Sequence, residues 1–124
     1  MIHGHVLNKQ ALIPVRFVLP HQPDILLEFV VDTSFSGFLA LPLAAVQAMG
    51  LPYAHHTAAT LADESEVQAP VYGATILWEG VERETRVLAV GKRPLLGLAL
   101  LDGFELSALF REGGPVTLDN PEIG

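Results

Sequence analysis

Between Phe29 and Leu39 the chain reads Phe-Val-Val-Asp-Thr-Ser-Phe-Ser-Gly-Phe-Leu, an apolar β-type run that stops on a lone carboxylate and a hydroxyl-rich turn before apolar sequence resumes. Such a segment carries Asp32 to the end of a rigid strand. There the hydroxyls of Thr33 and Ser34 can hydrogen-bond across a tight turn and hold the carboxylate in place. The triplet Asp32-Thr33-Ser34 occurs once, and no Asp-Thr-Gly is present elsewhere. Any chemistry that needs two such carboxylates must therefore recruit the second from another copy of the chain.

The rest of the sequence continues in short β-type runs separated by turn residues: Ile2–Leu7, Ala11–Val18, Ile25–Val31, Phe38–Leu41, Thr57–Ala62, Val67–Trp78, Val81–Val90, Phe104–Phe110 and Val116–Leu118. Glu79-Gly80 separates two alternating strands as a hairpin turn, and Asp63-Glu64-Ser65 separates another pair. One helix is predicted over Leu43–Met49, led in by Pro42 and ended by Gly50, with a second helical turn over Leu98–Asp102. No internal repeat or low-complexity tract interrupts this pattern. At 124 residues the chain is one domain's worth. The expected organisation is a mostly β domain over residues 1–118 followed by a polar tail over 119–124.

Half of the residues are hydrophobic and 17% are charged, which excludes disorder and leaves more apolar surface than a small monomer comfortably hides. An extended interface between copies is expected on that ground. The formal charge of −7 disfavours nucleic acid and anionic membranes, which are bound by clustered Lys and Arg. Without cysteine the chain has neither a disulfide framework nor a thiolate metal site. The opening residues Met1-Ile2-His3-Gly4-His5 lack a basic region followed by an apolar run, and no stretch approaches the ~20 apolar residues of a membrane span. A cytoplasmic location with no membrane association is the resulting expectation.

Three further segments, in order along the chain, join Asp32-Thr33-Ser34 in a resemblance to the retropepsin-like (clan AA) aspartic proteases of bacteria. Leu39-Ala40-Leu41-Pro42-Leu43 through Met49-Gly50-Leu51 looks like their strand, proline-led helix and glycine cap. Leu61 to Val67 falls where they carry the flap hairpin, with Ala62, Asp63, Glu64 and Ser65 at its tip. Leu95-Leu96-Gly97 followed by a short helix resembles the segment that threads beside their catalytic loop, where only glycine leaves room for another backbone. The resemblance implies a closed β-barrel-like protomer, a two-fold homodimer, and hydrolysis of a peptide or protein substrate by water activated between two Asp32 carboxylates, without a metal or organic cofactor. It also implies that Thr33 braces the two catalytic loops across the dimer. Ile2–Leu7 and Val116–Leu118 are the candidate strands for joining the copies.

Two positions depart from the family pattern. Ser34 stands where a glycine is usual, and its side chain either crowds the groove floor or adds a hydrogen bond to Asp32. Glu64 occupies a flap-tip position usually held by glycine, so a type I turn free of positive φ is expected there. These departures motivate an alternative reading, a protease-like module that binds peptides or dimerises with little or no turnover. Ser34 and Ser36 lack the glycine-flanked elbow and the base of a serine hydrolase. His3, His5, His55 and His56 are read as surface histidines, since no cysteine or His-Glu-x-x-His spacing accompanies them. Asp63, Glu64 and Glu66 make the flap tip acidic, which reads either as a solvated hairpin that resists edge pairing or as a preference for basic over acidic peptide segments. The aromatic residues Phe38, Tyr72, Trp78 and Phe104 are expected in the core, while Phe35, directly after the catalytic turn, is placed beside the active site.

Overall fold

A computed structural model describes residues 1–60 and 63–122. Alternating apolar residues and well-placed turns produce ten strands among these residues: β1 (Ile2–Leu7), β2 (Gln10–Val18), β3 (Ile25–Val31), β4 (Leu39–Leu41), β5 (Tyr53–Thr60), β6 (Glu66–Trp78), β7 (Val81–Ala89), β8 (Leu95–Leu96), β9 (Glu105–Ala108) and β10 (Pro115–Asp119). Two short helices, α1 (Leu43–Met49) and α2 (Leu98–Leu101), complete the described elements. The domain is mostly β. The β6–β7 hairpin turns on Glu79 and Gly80 with φ of 56° and 77°, the paired positive angles whose twist suits a two-residue connection. Helix α1 follows Pro42 and ends on Gly50 at φ 67°, where the Gly50 N–H reaches the carbonyls of Gln47 and Val46.

The strands follow the order β5-β6-β7-β4-β8-β3-β2-β1-β10-β9, and a further antiparallel pairing of β2 with β6 links Arg16, Phe17 and Val18 to Leu77, Ile76 and Thr75. Pairings thus run in a ring through β2, β3, β8, β4, β7 and β6. Its interior holds Ile13, Phe17, Phe29, Leu39, Leu41, Ile76 and Leu96, all essentially without solvent contact. Phe17 and Phe29 stack at 5.9 Å between ring centroids, and Trp78 meets Phe104 edge-on at 5.7 Å. Tyr72, Phe38 and Phe104 pack against this core from partly buried positions.

The two strands considered for joining copies are both interior to the strand order. β1 lies between β2 and β10, and β10 lies between β1 and β9. The outer edges belong to β5 and β9. Both candidate strands for joining copies thus already carry a neighbour on each side.

Candidate active site

β3 delivers Asp32 at its end, and the chain turns through residues 33–38 to return as β4. Between these two strands lies β8, parallel to β3 through Val30↔Leu95 and Val31↔Leu96 and antiparallel to β4 through Leu39↔Leu96 and Ala40↔Leu95. A strand from 60 residues further along the chain is thus threaded through the turn that carries the carboxylate. The Asp32 N–H donates to the Leu96 carbonyl at 2.9 Å, and the Gly97 N–H donates to Phe38 at 2.9 Å. Leu98 donates to Phe35 at 2.8 Å and Ala99 to Gly37 at 3.1 Å.

That threading leaves no room for a side chain at position 97. A Cβ on Gly97 would sit 2.3 Å from the Gly37 carbonyl oxygen and 2.6 Å from that of Phe35, inside any permissible contact. The backbone at Gly97 is extended, with φ −106° and ψ −179°, so space and not conformation demands glycine. Phe35 folds its half-buried ring over the same spot, against Gly37 and Gly97.

Asp32 is half-buried, and Thr33 and Ser34 are exposed beside it. The Ser34 N–H donates to Asp32 Oδ1 at 2.9 Å and the Ser34 hydroxyl donates to the same oxygen at 2.5 Å. Of the two roles open to Ser34, the structure displays the hydrogen bond. The Phe35 N–H closes the turn onto the Asp32 carbonyl at 3.1 Å. One carboxylate oxygen is held by two donors from one residue, while Oδ2 makes no protein hydrogen bond among the described residues.

An open groove of about 940 Å³ runs in front of Asp32. Its floor is formed by the turn around Ser34–Phe38 and its opposite wall by the β5 arm of the β5–β6 hairpin, from His55 and Thr57 to Thr60. Apolar side chains of Val71, Leu88, Val90 and Leu95 line the remainder, with Arg86 and His55 as the cationic-capable groups. Sequence reasoning overlooked Arg86. The available signal was the alternation of Arg86, Leu88 and Val90, which aims all three to one face of a strand.

The hairpin itself spans β5 and β6, pairing Thr60 with Glu66. Ala62 lies outside the described residues. Asp63 repeats the local chemistry of Asp32: the Ser65 N–H and hydroxyl both donate to Asp63 Oδ1, at 3.0 and 2.5 Å. Those two bonds, the hydroxyl first, hold the Asp63 carboxyl below its ordinary titration range, because each favours the ionised form. Glu64 adopts φ 68°, which corrects the expected type I turn. The Ser65 contacts to Asp63 fix the turn and Glu64 accepts the left-handed angle at its apex, where an exposed side chain has space.

The histidines disperse. His5 faces Glu28 at 3.5 Å, His56 bonds the Tyr53 hydroxyl, and His55 lines the groove. No group of three or more potential metal ligands forms among the described residues, and no described helix is long and apolar enough to cross a membrane. Comparison with protein-family models, curated proteins and solved structures returns no significant match for this chain.

Proposed function

We propose that the chain is one half of a homodimeric aspartic endopeptidase with a closed-barrel retropepsin fold. The observation that carries this reading is β8 passing between β3 and β4, so that the backbone of Leu96 and Gly97 clamps both ends of the turn bearing Asp32. Such a clamp fixes a carboxylate at a strand end with little freedom to reorganise, as acid–base catalysis requires. The open groove in front of it is lined largely by apolar side chains and walled by the β5 strand, an arrangement suited to an extended peptide.

With two Asp32 groups across a two-fold axis, one is ionised and the other protonated, since two adjacent carboxylates disfavour double ionisation; aspartic proteases are the standard example of this coupling. The ionised group takes a proton from water as the water oxygen bonds to the peptide carbonyl carbon, and the protonated group gives its proton to the carbonyl oxygen. As the tetrahedral diol collapses and the C–N bond breaks, the carboxyl that took the water proton gives it to the departing nitrogen and the other carboxylate takes back a hydroxyl proton. Peptide substrate and water are the reactants, and no cofactor enters.

The deciding experiment is Asp32→Asn. Loss of peptide cleavage by a folded variant of unchanged mass supports the proposal, and undiminished cleavage refutes it. A second reading draws on one observation, the Ser34 hydroxyl donating to Asp32 Oδ1, which occupies an oxygen that would otherwise accept from the attacking water. On that reading the chain binds peptides without turnover. Saturable peptide binding with no cleavage from acid to neutral pH would select it.

A further inference from the structure

We infer that the second copy docks on the outer edge of β9, two chains pairing their Glu105–Ala108 strands antiparallel about a two-fold axis. The inference rests on the endopeptidase reading, in which one Asp32 per chain leaves the site incomplete without a partner. It goes beyond that reading by locating the seam.

Among the described residues, strand β9 pairs on one side only, with β10. The Leu109 N–H donates to Pro115, and the alternation of antiparallel ladders then directs the N–H and C=O of Ser107 and Glu105 inward to β10. Those of Leu106 and Ala108 consequently face outward, an unfilled template for one more strand. The other free edge, β5, is an arm over the groove and stands opposite Asp32 instead of beside it.

The side chains agree. Leu106 lies opposite Leu118 and Ala108 opposite Val116, so they share the face on which Leu118 and Val116 are fully buried. Yet Leu106 is 41% exposed, because the core ends one strand too early to cover it. Leu98 is 47%, Leu109 49% and Phe110 67% exposed, so four of the eleven large exposed apolar side chains among the described residues fall within one 13-residue stretch. Leu98 binds the Asp32 turn through its N–H to Phe35, and β9 begins four residues after α2 ends. Exposed apolar residues therefore mark the segment that leads from the Asp32 turn to the free edge, and a two-fold axis at that edge would bring both turns toward one seam.

Charge permits the contact. The chain carries −7 overall, but β9 holds a single carboxylate, Glu105. Pairing centred on Leu106 against its own copy, whose N–H and C=O both face outward, sets Glu105 against Ser107 and not against its own copy. A four-residue strand alone falls well short of the roughly 800 Å² per partner of a stable interface, so Leu98, Leu109 and Phe110 must supply most of the area.

The test uses the full chain in sedimentation equilibrium together with peptide cleavage. Wild type is expected as two chains. Leu106→Glu removes buried apolar area and places like charges across the axis, and should raise the dimer dissociation constant about tenfold or more. Cleavage should fall at low protein concentration and recover as concentration rises. Phe110→Ser, at a position too exposed to disturb the fold, should weaken the dimer in the same direction, whereas Val81→Glu at the β6–β7 turn should not. A single-chain wild type, or wild-type mass and dissociation constant in both Leu106→Glu and Phe110→Ser, overturns the seam. A dimer that dissociates in these variants but cleaves nothing upholds the seam and removes the endopeptidase reading.

Discussion

Replacing Gly97 with alanine tests the threaded strand at its tightest point. The added Cβ would lie 2.3 Å from the Gly37 carbonyl oxygen, so that carbonyl must retreat by about 0.7 Å merely to reach 3.0 Å, the limit of real contacts. It cannot move alone, because Gly37 accepts from Ala99, Phe38 from Gly97 and Phe35 from Leu98 at 2.8 to 3.1 Å. Stretching these three bonds forfeits about 0.5–1 kcal/mol each, and overpacking of this kind costs about 1–3 kcal/mol in total. The backbone at position 97 suits alanine, so stiffening of the unfolded chain returns about 0.5 kcal/mol. A net loss of about 3 kcal/mol is expected, against a total stability on the order of 5–15 kcal/mol. In urea at one fixed protein concentration this lowers the midpoint by roughly 1–2 M. Gly37→Ala is the internal comparison: the three atoms nearest its Cβ all belong to the ring of Phe35, two of them at 2.6 and 2.8 Å, and a ring can swing aside where a hydrogen-bonded carbonyl cannot. Its cost should stay near 1 kcal/mol. Equal midpoints for wild type and Gly97→Ala, or equal losses in the two variants, would refute the account of why glycine stands there.

Thr85→Val should be neutral or stabilise by about 1 kcal/mol in chemical unfolding, because the buried Thr85 hydroxyl finds no hydrogen-bond partner among the described residues and valine keeps the shape. Phe17→Ala should cost about 3–5 kcal/mol, since the ring is fully buried and stacks on Phe29. Ser65→Ala should raise the Asp63 titration toward its ordinary value of 3.8 in a side-chain carboxyl NMR titration, by removing the largest cause of its depression. The depressed folded-state value means that the associated stability is present above the unfolded value and is lost only as pH falls through the folded one; on a fully exposed carboxyl it is screened, so the unfolding midpoint near neutral pH should not move. His5→Gln should leave stability within about 0.5 kcal/mol, the 3.5 Å pair with Glu28 being exposed on both sides.

How much of this was legible in the sequence depended on how local the cause was. Strand β3, the turn at Asp32, the helix between Pro42 and Gly50 and the Glu79-Gly80 hairpin are fixed by neighbours within a few residues, and pattern and turn chemistry place them. Leu95 and Leu96 are a different case. Two residues have no periodicity to read, and they form a strand only because β3 and β4 flank them. Only Gly97, whose missing side chain answers to a backbone 60 residues upstream, announced the crossing. At Glu64 a rule of conformational preference was overridden by a local one: Asp63 and Ser65 close the turn through two hydrogen bonds, and the intervening glutamate takes the angle left to it.

A sequence shows which segments are apolar but not which edges are spent, and the candidate joining strands Ile2–Leu7 and Val116–Leu118 each already carry a neighbour on both sides. Val116 and Leu118 look like interface residues, being alternate, β-compatible and near one end of the chain, and both prove to be fully buried inside their own protomer. Leu106 and Phe110 look no different, yet they are exposed. The distinction arises from pairing: β10 stands between β1 and β9, whereas no strand among the described residues stands beyond β9. Unspent hydrogen-bonding edge and uncovered apolar face therefore coincide at one place, and that place is covalently continuous with the helix braced against the Asp32 turn. A copy added there would complete the core and bring a second carboxylate to the same seam, so stability of the assembly and completion of the site become one requirement on the same few residues.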